Sequence, residues 1–173
     1  MVDVLGHVAT ALLFAAPAWF VWDRRVSVGF VGVALLTSMA PDIDLYLPNV
    51  PHHGPTHSIL FAVVLAVGGG AVLTPLLRPA FARWWGRTEY TPLTRERLYR
   101  FVTVGLLLGA LSHLFIDLLS AGTGGNPPLE LFWPFFEKWF VIDFIYYDAP
   151  RWNFGLFAVA VVLHGVLIAF DSE

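Results

Sequence analysis

The sequence predicts an all-α, polytopic membrane helical bundle of about five spans, built as a single domain over residues 1–173. Composition is the first observation behind this. The chain is 57% hydrophobic and only 13% charged, with mean hydropathy +0.69, where soluble domains carry about 25% charged residues. Length is the second. Apolar runs at 5–22, 26–41, 57–77, 101–120 and 152–170 approach the roughly 17–25 residues that a bilayer demands. Cysteine is absent, which removes disulfides, thiolate zinc sites and cysteine nucleophiles together.

Each element follows from its residues. The first run is preceded by Asp3 and no Lys or Arg, so it lacks the positive region of a secretory signal and reads as a retained span. The second run is short, is closed by Pro41, and is expected to tilt or to enter the membrane only partly. Thr56 is the expected N-cap of the third span, and Gly68-Gly69-Gly70 inside it allows a neighbouring helix to come close. Residues 129–148 are aromatic, broken by Pro134 and interrupted by acids. They suit an interfacial or re-entrant segment, a lid or lipid-facing wall, better than a sixth span.

The arginines set the orientation. Arg24 and Arg25 follow the first span, and Arg78, Arg83, Arg87, Arg95, Arg97 and Arg100 fill the connection between the third and fourth. The positive-inside rule puts both groups on the cytoplasmic side of a cell (inner) membrane, with the N-terminus outside and the C-terminus inside. That topology was drawn without reference to His or Asp, yet it gathers them. His7, Asp42, Asp44, His53, His57, His113 and Asp117 all fall at outer helix ends, at one depth. Ionisable groups are costly in a bilayer, so their recurrence at one level calls for a purpose.

The side-chain types suggest what that purpose is. His113 and Asp117 are spaced i, i+4 and share a helix face, although a plain His–Asp hydrogen bond would use the same spacing. In His53-Gly54-Pro55-Thr56-His57-Ser58 a forced turn separates two histidines, and a polar surface turn is an equally good account of that segment alone. Pro41-Asp42-Ile43-Asp44 offers two acids after a helix end. One could ligate while the other ligates a second ion, orients a histidine or acts as base. His164 lies about 18 Å below the outer face and is read as a packing or hydrogen-bonding residue. A mixed imidazole and carboxylate set favours Zn²⁺, with Mn²⁺ or Fe²⁺ as other choices, over Mg²⁺ or Ca²⁺. Seven candidates exceed the needs of one tetrahedral ion, so the set implies one or two ions, with Asp117 as the bridge if two, or some members that only orient the ligands.

At His7, Pro41-Asp42-Ile43-Asp44, His53-Gly54-Pro55-Thr56-His57-Ser58, Ser112-His113-Leu114-Phe115-Ile116-Asp117-Leu118-Leu119-Ser120 and Leu131-Phe132-Trp133-Pro134-Phe135, the chain resembles the membrane-bound metal-dependent hydrolases related to YdjM. That family is in turn similar to zinc-dependent phospholipase C. The resemblance implies a phospholipase C-like metal core with His7, Asp42 or Asp44, His57, His113 and Asp117 as ligands. It departs from those enzymes after Asp117, where no further His followed by His-x-x-x-Glu is found, which argues against a full three-metal cluster.

The combined expectation is a metal-dependent hydrolase at the outer face. It would cleave a phosphoester of a phospholipid or lipid-linked substrate through a metal-activated water. Asp44, His53 and Asp117 are its expected catalytic residues, and His7, Asp42, Asp44, His57, His113 and Asp117 its expected ligands. The alternative is a non-enzymatic membrane protein with a structural or regulatory metal site. A proton or ion pathway fits less well, because the spans are apolar below the site. An intramembrane metalloprotease would need His-Glu-x-x-His, which is missing. Expected partners are the bilayer and the lipid substrate, with no nucleic acid.

Overall fold

A computed structural model describes residues 3–85 and 93–170, so Arg87 lies outside the described residues. The described chain is helical, with α1 (Val4–Ala15), α2 (Arg24–Leu35), α3 (Ile59–Trp85), α4 (Arg95–Ser120) and α5 (Leu156–Phe170). Three helical stretches are long and apolar enough to cross a membrane: Ile59–Trp85, Arg95–Ser120 and Arg151–Phe170. The last includes a turn of wider helix at Arg151–Gly155. α4 is the most buried of the three, and the outer two leave most of their surface facing away from the protein.

The first two expected spans are shorter than their apolar runs, for local reasons. α1 tightens into a 3₁₀ helix at Ala16–Phe20, where Pro17 has no N–H to continue the α-helical ladder. α2 stops at Leu35 because the hydroxyls beyond it bond to backbone carbonyls. Thr37 Oγ1 donates to Leu106 O at 2.6 Å, and Ser38 Oγ donates to Leu35 O at 3.0 Å. At 12 residues α2 rises about 18 Å, short of a bilayer core. α3 and α4 instead outrun their expected bounds, at 27 and 26 residues.

Close approach at glycines holds the bundle together. A Cβ on Gly70 would strike Thr103 Oγ1 of α4, and one on Gly109 would strike the Ala34 carbonyl of α2. Thus α4 is clasped between α2 and α3 by positions that only glycine can fill. α5 rests on α1, where His164 Nε2 donates to Leu12 O at 2.9 Å and its Nδ1 accepts from Trp19 Nε1 at 3.0 Å. His164 is therefore the interhelical hydrogen-bonding residue expected.

Two expectations change. Thr56 does not cap α3; Ser58 does, through Phe61 N to Ser58 Oγ at 3.1 Å, because Pro55–His57 forms a 3₁₀ turn of its own before the helix starts. Residues 129–148 form neither a helix nor a re-entrant hairpin of helices. They are an irregular strap pinned by one antiparallel bridge between Leu129 and Phe140. Glu130 N donates to His53 O at 3.1 Å and Ile59 N to Leu131 O at 2.9 Å, so the strap is sewn to the histidine turn. Phe135, Phe136, Trp139, Phe144 and Tyr146 face outward from it, in keeping with an aromatic interfacial wall.

Candidate metal centre

The seven His and Asp side chains singled out from the sequence are all buried, and the fold brings them together at the end of the bundle opposite the arginines. Their carriers are the first turn of α1, the 3₁₀ turn Pro41–Tyr46 after α2, the turn before α3 and the last two turns of α4. Among them, Asp42, His57, His113 and Asp117 offer donor atoms that could hold one metal ion.

The spacing of those atoms is informative. His57 Nε2 lies 3.2 Å from His113 Nε2, 3.5 Å from Asp42 Oδ1 and 3.5 Å from Asp117 Oδ2. His113 Nε2 lies 3.4 Å from Asp42 Oδ1 and 3.0 Å from Asp117 Oδ2. A tetrahedron with metal–ligand bonds of about 2.0–2.1 Å has edges of about 3.3–3.4 Å. These five edges lie within about 0.3 Å of that figure, and the donors come from three separate parts of the chain, the turns at Asp42 and His57 and the end of α4.

Hydrogen bonding behind the cluster turns each imidazole the same way. His113 Nδ1 donates to Ser38 O at 2.7 Å, His53 Nδ1 to Pro127 O at 2.7 Å and His7 Nδ1 to Asp3 O at 3.2 Å. His57 Nδ1 faces Asp44 Oδ2 at 3.1 Å. With every Nδ1 engaged from outside, four Nε2 atoms point inward. This is how metal-binding histidines are ordinarily oriented.

Several atoms facing the cluster interior lack a hydrogen-bond partner among the described residues. Asp42 Oδ1 and Oδ2, His53 Nε2 and Asp117 Oδ2 are buried without a hydrogen bond among the described residues. The short contacts of Asp117 Oδ2 and Asp42 Oδ1 satisfy distance but not hydrogen-bond angle. Only a cation, whether proton or metal, can sit between carboxylate oxygens and imidazole lone pairs at such separations. The donor set therefore fits a divalent transition metal, and imidazole with carboxylate is the chemistry Zn²⁺ accepts.

Charge states outside the spans agree. Burial opposes ionisation of Asp42, yet His113 and His57 hold its carboxyl well below the usual range. Burial likewise opposes ionisation of Asp44, but His57, His52 and Thr56 bring it down to about 2. For His57, burial is outweighed by the carboxylates of Asp117, Asp42 and Asp44, which raise it to about 10. His53 goes the other way: burial lowers it to about 4 despite the nearby charge of Asp117. The cluster thus demands positive charge at His57 and keeps His53 a neutral base.

The expected ligands separate into roles. Asp42 belongs to the four-donor group. Asp44 stands behind His57, with Oδ2 accepting from Thr56 Oγ1 at 2.8 Å and Oδ1 lying 3.1 Å from His52 Nδ1. His7 lies on the far oxygen of Asp117, Nε2 to Oδ1 at 3.2 Å, with its ring against His113. His53 Nε2 is 3.8 Å from Asp117 Oδ2. Asp117 is thereby contacted by histidines through both oxygens.

His52 was missed from sequence. It stands beside Asp44, with its ring centroid 4.1 Å from that of His53, and it joins two further donor groups, with His53 and His57 and with Asp42 and Asp44. The available signal was the His-His pair after Pro51. A turn, however, has no periodicity to say that adjacent rings face one way. Here His53 takes a left-handed conformation (φ 64°), which costs a non-glycine residue about 1–2 kcal/mol. Strain of that kind collects at functional sites.

No curated protein and no solved structure matches the chain, and none of the comparisons shows the expected similarity to phospholipase C. A family profile described as "YdjM inner membrane protein" matches residues 1–171. With that match over nearly the whole length, on a fold with several apolar helices, the chain belongs to the YdjM family of inner membrane proteins.

Proposed function

We propose that the protein is a metal-dependent hydrolase working at the membrane interface on a phosphoester of a phospholipid or lipid-linked substrate. The observation that carries this reading is the buried set of four donor atoms, five of whose six separations are 3.0–3.5 Å. A bound Zn²⁺, or Mn²⁺ or Fe²⁺, would supply Lewis acidity toward a phosphoryl oxygen and a water of lowered pKa.

The protein's own groups would do the rest. Asp42, His57, His113 and Asp117 hold the ion, while Asp44 fixes the tautomer and tilt of His57. His53, neutral at pH 7 and with Nε2 turned inward, is placed to take a proton. Asp117 has its second oxygen toward His7 and would bridge a second ion. The aromatic strap and the outward aromatics of 129–148 suit a substrate met at the lipid–water boundary. On the positive-inside rule, we assign Arg24, Arg25, Arg78, Arg83, Arg95, Arg97 and Arg100 to the cytoplasmic side and the site to the outer face.

The test is release of phosphate or head group from phospholipid vesicles by the metal-loaded protein. Turnover that is lost in Asp117→Asn is expected; a metal-loaded protein inert toward every lipid class would overturn the reading.

Burial of all four donors favours a second reading, a closed structural or regulatory metal site. Co²⁺ substitution separates the two. An open site changes its visible spectrum when phosphate is added, whereas a closed one does not.

A further inference from the structure

Beside the cluster lies a groove of about 390 Å³, lined by Val4, Met39, Ile43, Leu45, Phe61 and Leu65. Its volume is within the roughly 300–1,000 Å³ of small-molecule clefts. Asp42 also lines it, the sole charged residue to do so. The same carboxylate has Oδ1 at 3.4 Å from His113 Nε2 and no hydrogen bond to either oxygen. The groove therefore abuts the donor cluster at Asp42, whose carboxylate oxygens are themselves buried, and is lined otherwise by apolar side chains and Tyr46.

Its position matters as much as its lining. Phe61 and Leu65 lie one turn apart on the first part of α3, and Val63, Val64 and Val67 beside them are exposed. α3 is one of the membrane-length helices and leaves most of its surface facing outward. With α3 spanning the membrane, such a wall would meet lipid and the groove would open sideways into the bilayer. A water-soluble ester would leave these residues uncovered.

Building on the hydrolase reading, we propose that this groove seats a hydrocarbon chain of a membrane lipid whose phosphate lies at the metal cluster. The substrate then enters laterally from the membrane, with its chain along Phe61 and Leu65 and its polar end at Asp42. This limits the substrate class to amphiphiles with at least one long chain.

The experiment uses the full-length protein in phosphatidylcholine–phosphatidylglycerol vesicles containing a trace of phosphatidic acid with a photoreactive diazirine in its acyl chain. Labelled residues are mapped by mass spectrometry. Labelling is expected to concentrate on Met39, Ile43, Phe61 and Leu65. Leu65→Trp, which fills the groove, should cut labelling at the other three roughly tenfold, the effect of unseating about two methylenes at up to about fourfold each. Labelling spread evenly over the outward faces of α3 and α5, or unchanged by Leu65→Trp, would overturn the proposal. Turnover is scored separately on the same vesicles. Groove labelling without turnover would uphold the chain site and remove the hydrolase reading, so the two failures are told apart.

Discussion

The two ends of the bundle are built on opposite principles. At the arginine end Phe101 is ringed by Trp22, Phe30, Phe81 and Trp85 at centroid distances of 5.1–5.8 Å, and Leu98, Val102 and Val26 fill the space between the helices. Its charges stay outside, as in the exposed Arg100–Glu96 pair. At the other end seven His and Asp side chains occupy the interior, and several of their polar atoms have no hydrogen-bond partner among the described residues. Dispersion and close packing explain the first end fully. Nothing in packing explains the second, since burying unpaired ions costs several kcal/mol each. One end holds the helices together; the other carries a cost in stability that a bound cation would offset.

The comparison can be broken most forcefully at Asp117. Asp117→Asn removes the carboxylate that histidines contact through both oxygens. Metal retention is expected to disappear, a larger loss than the about 10–100-fold typical of residues that only orient a ligand. Elemental analysis after gel filtration measures it, and unchanged helical circular dichroism shows that the fold survives. At the opposite end, Phe101→Ala is expected to cost about 3–5 kcal/mol of stability, read by denaturant unfolding in detergent. The folded fraction should keep its metal. Equal loss of metal affinity in that variant would mean that the two ends are not independent.

Asp44→Asn sharpens the picture of the polar end. It should lower metal affinity about 10–100-fold by freeing His57 from its orienting carboxylate, measured by competition with a chelator. The effect of a single pH unit is smaller still and depends on metal content. His57 is raised from 6.5 to about 10, so in metal-free protein its stabilisation is complete below pH 6.5 and is lost as pH climbs toward 10. Metal must displace that proton, so affinity should rise by about tenfold per pH unit across the same window. Thermal melts between pH 6.5 and 9 should therefore fall with rising pH for the metal-free protein and stay nearly level for the metal-loaded protein, in which His57 carries no proton in either the folded or the unfolded state.

Much of this was legible in the chain. The helix polarity expected from the arginines puts His7, His57, His113 and Asp117 at one level, and the fold gathers these four residues. Helix periodicity made the His113–Asp117 pair plain. The turns were opaque. Whether Asp42 or Asp44 faces the cluster depends on a 3₁₀ turn at Pro41–Tyr46 whose two acids differ only in which way the turn winds. His52 was invisible for a similar reason, since its placement depends on a left-handed His53. Apolar runs overstated α1 and α2 because hydropathy counts residues and is blind both to the missing N–H of Pro17 and to hydroxyls that bond back to the chain, as those of Thr37 and Ser38 do after α2. The strap at 129–148 was foreseen as interfacial by composition, but its course is set by long-range bonds to His53 and Ile59.

If the buried cluster holds a transition metal, as proposed, the ion should stay with the protein through purification. The most direct measurement is the metal content of full-length protein purified from its membrane in gentle detergent without chelator. A folded chain that carries stoichiometric zinc, manganese or iron is the predicted result. A folded chain with no transition metal, and with no uptake when Zn²⁺, Mn²⁺ or Fe²⁺ is supplied, would contradict it.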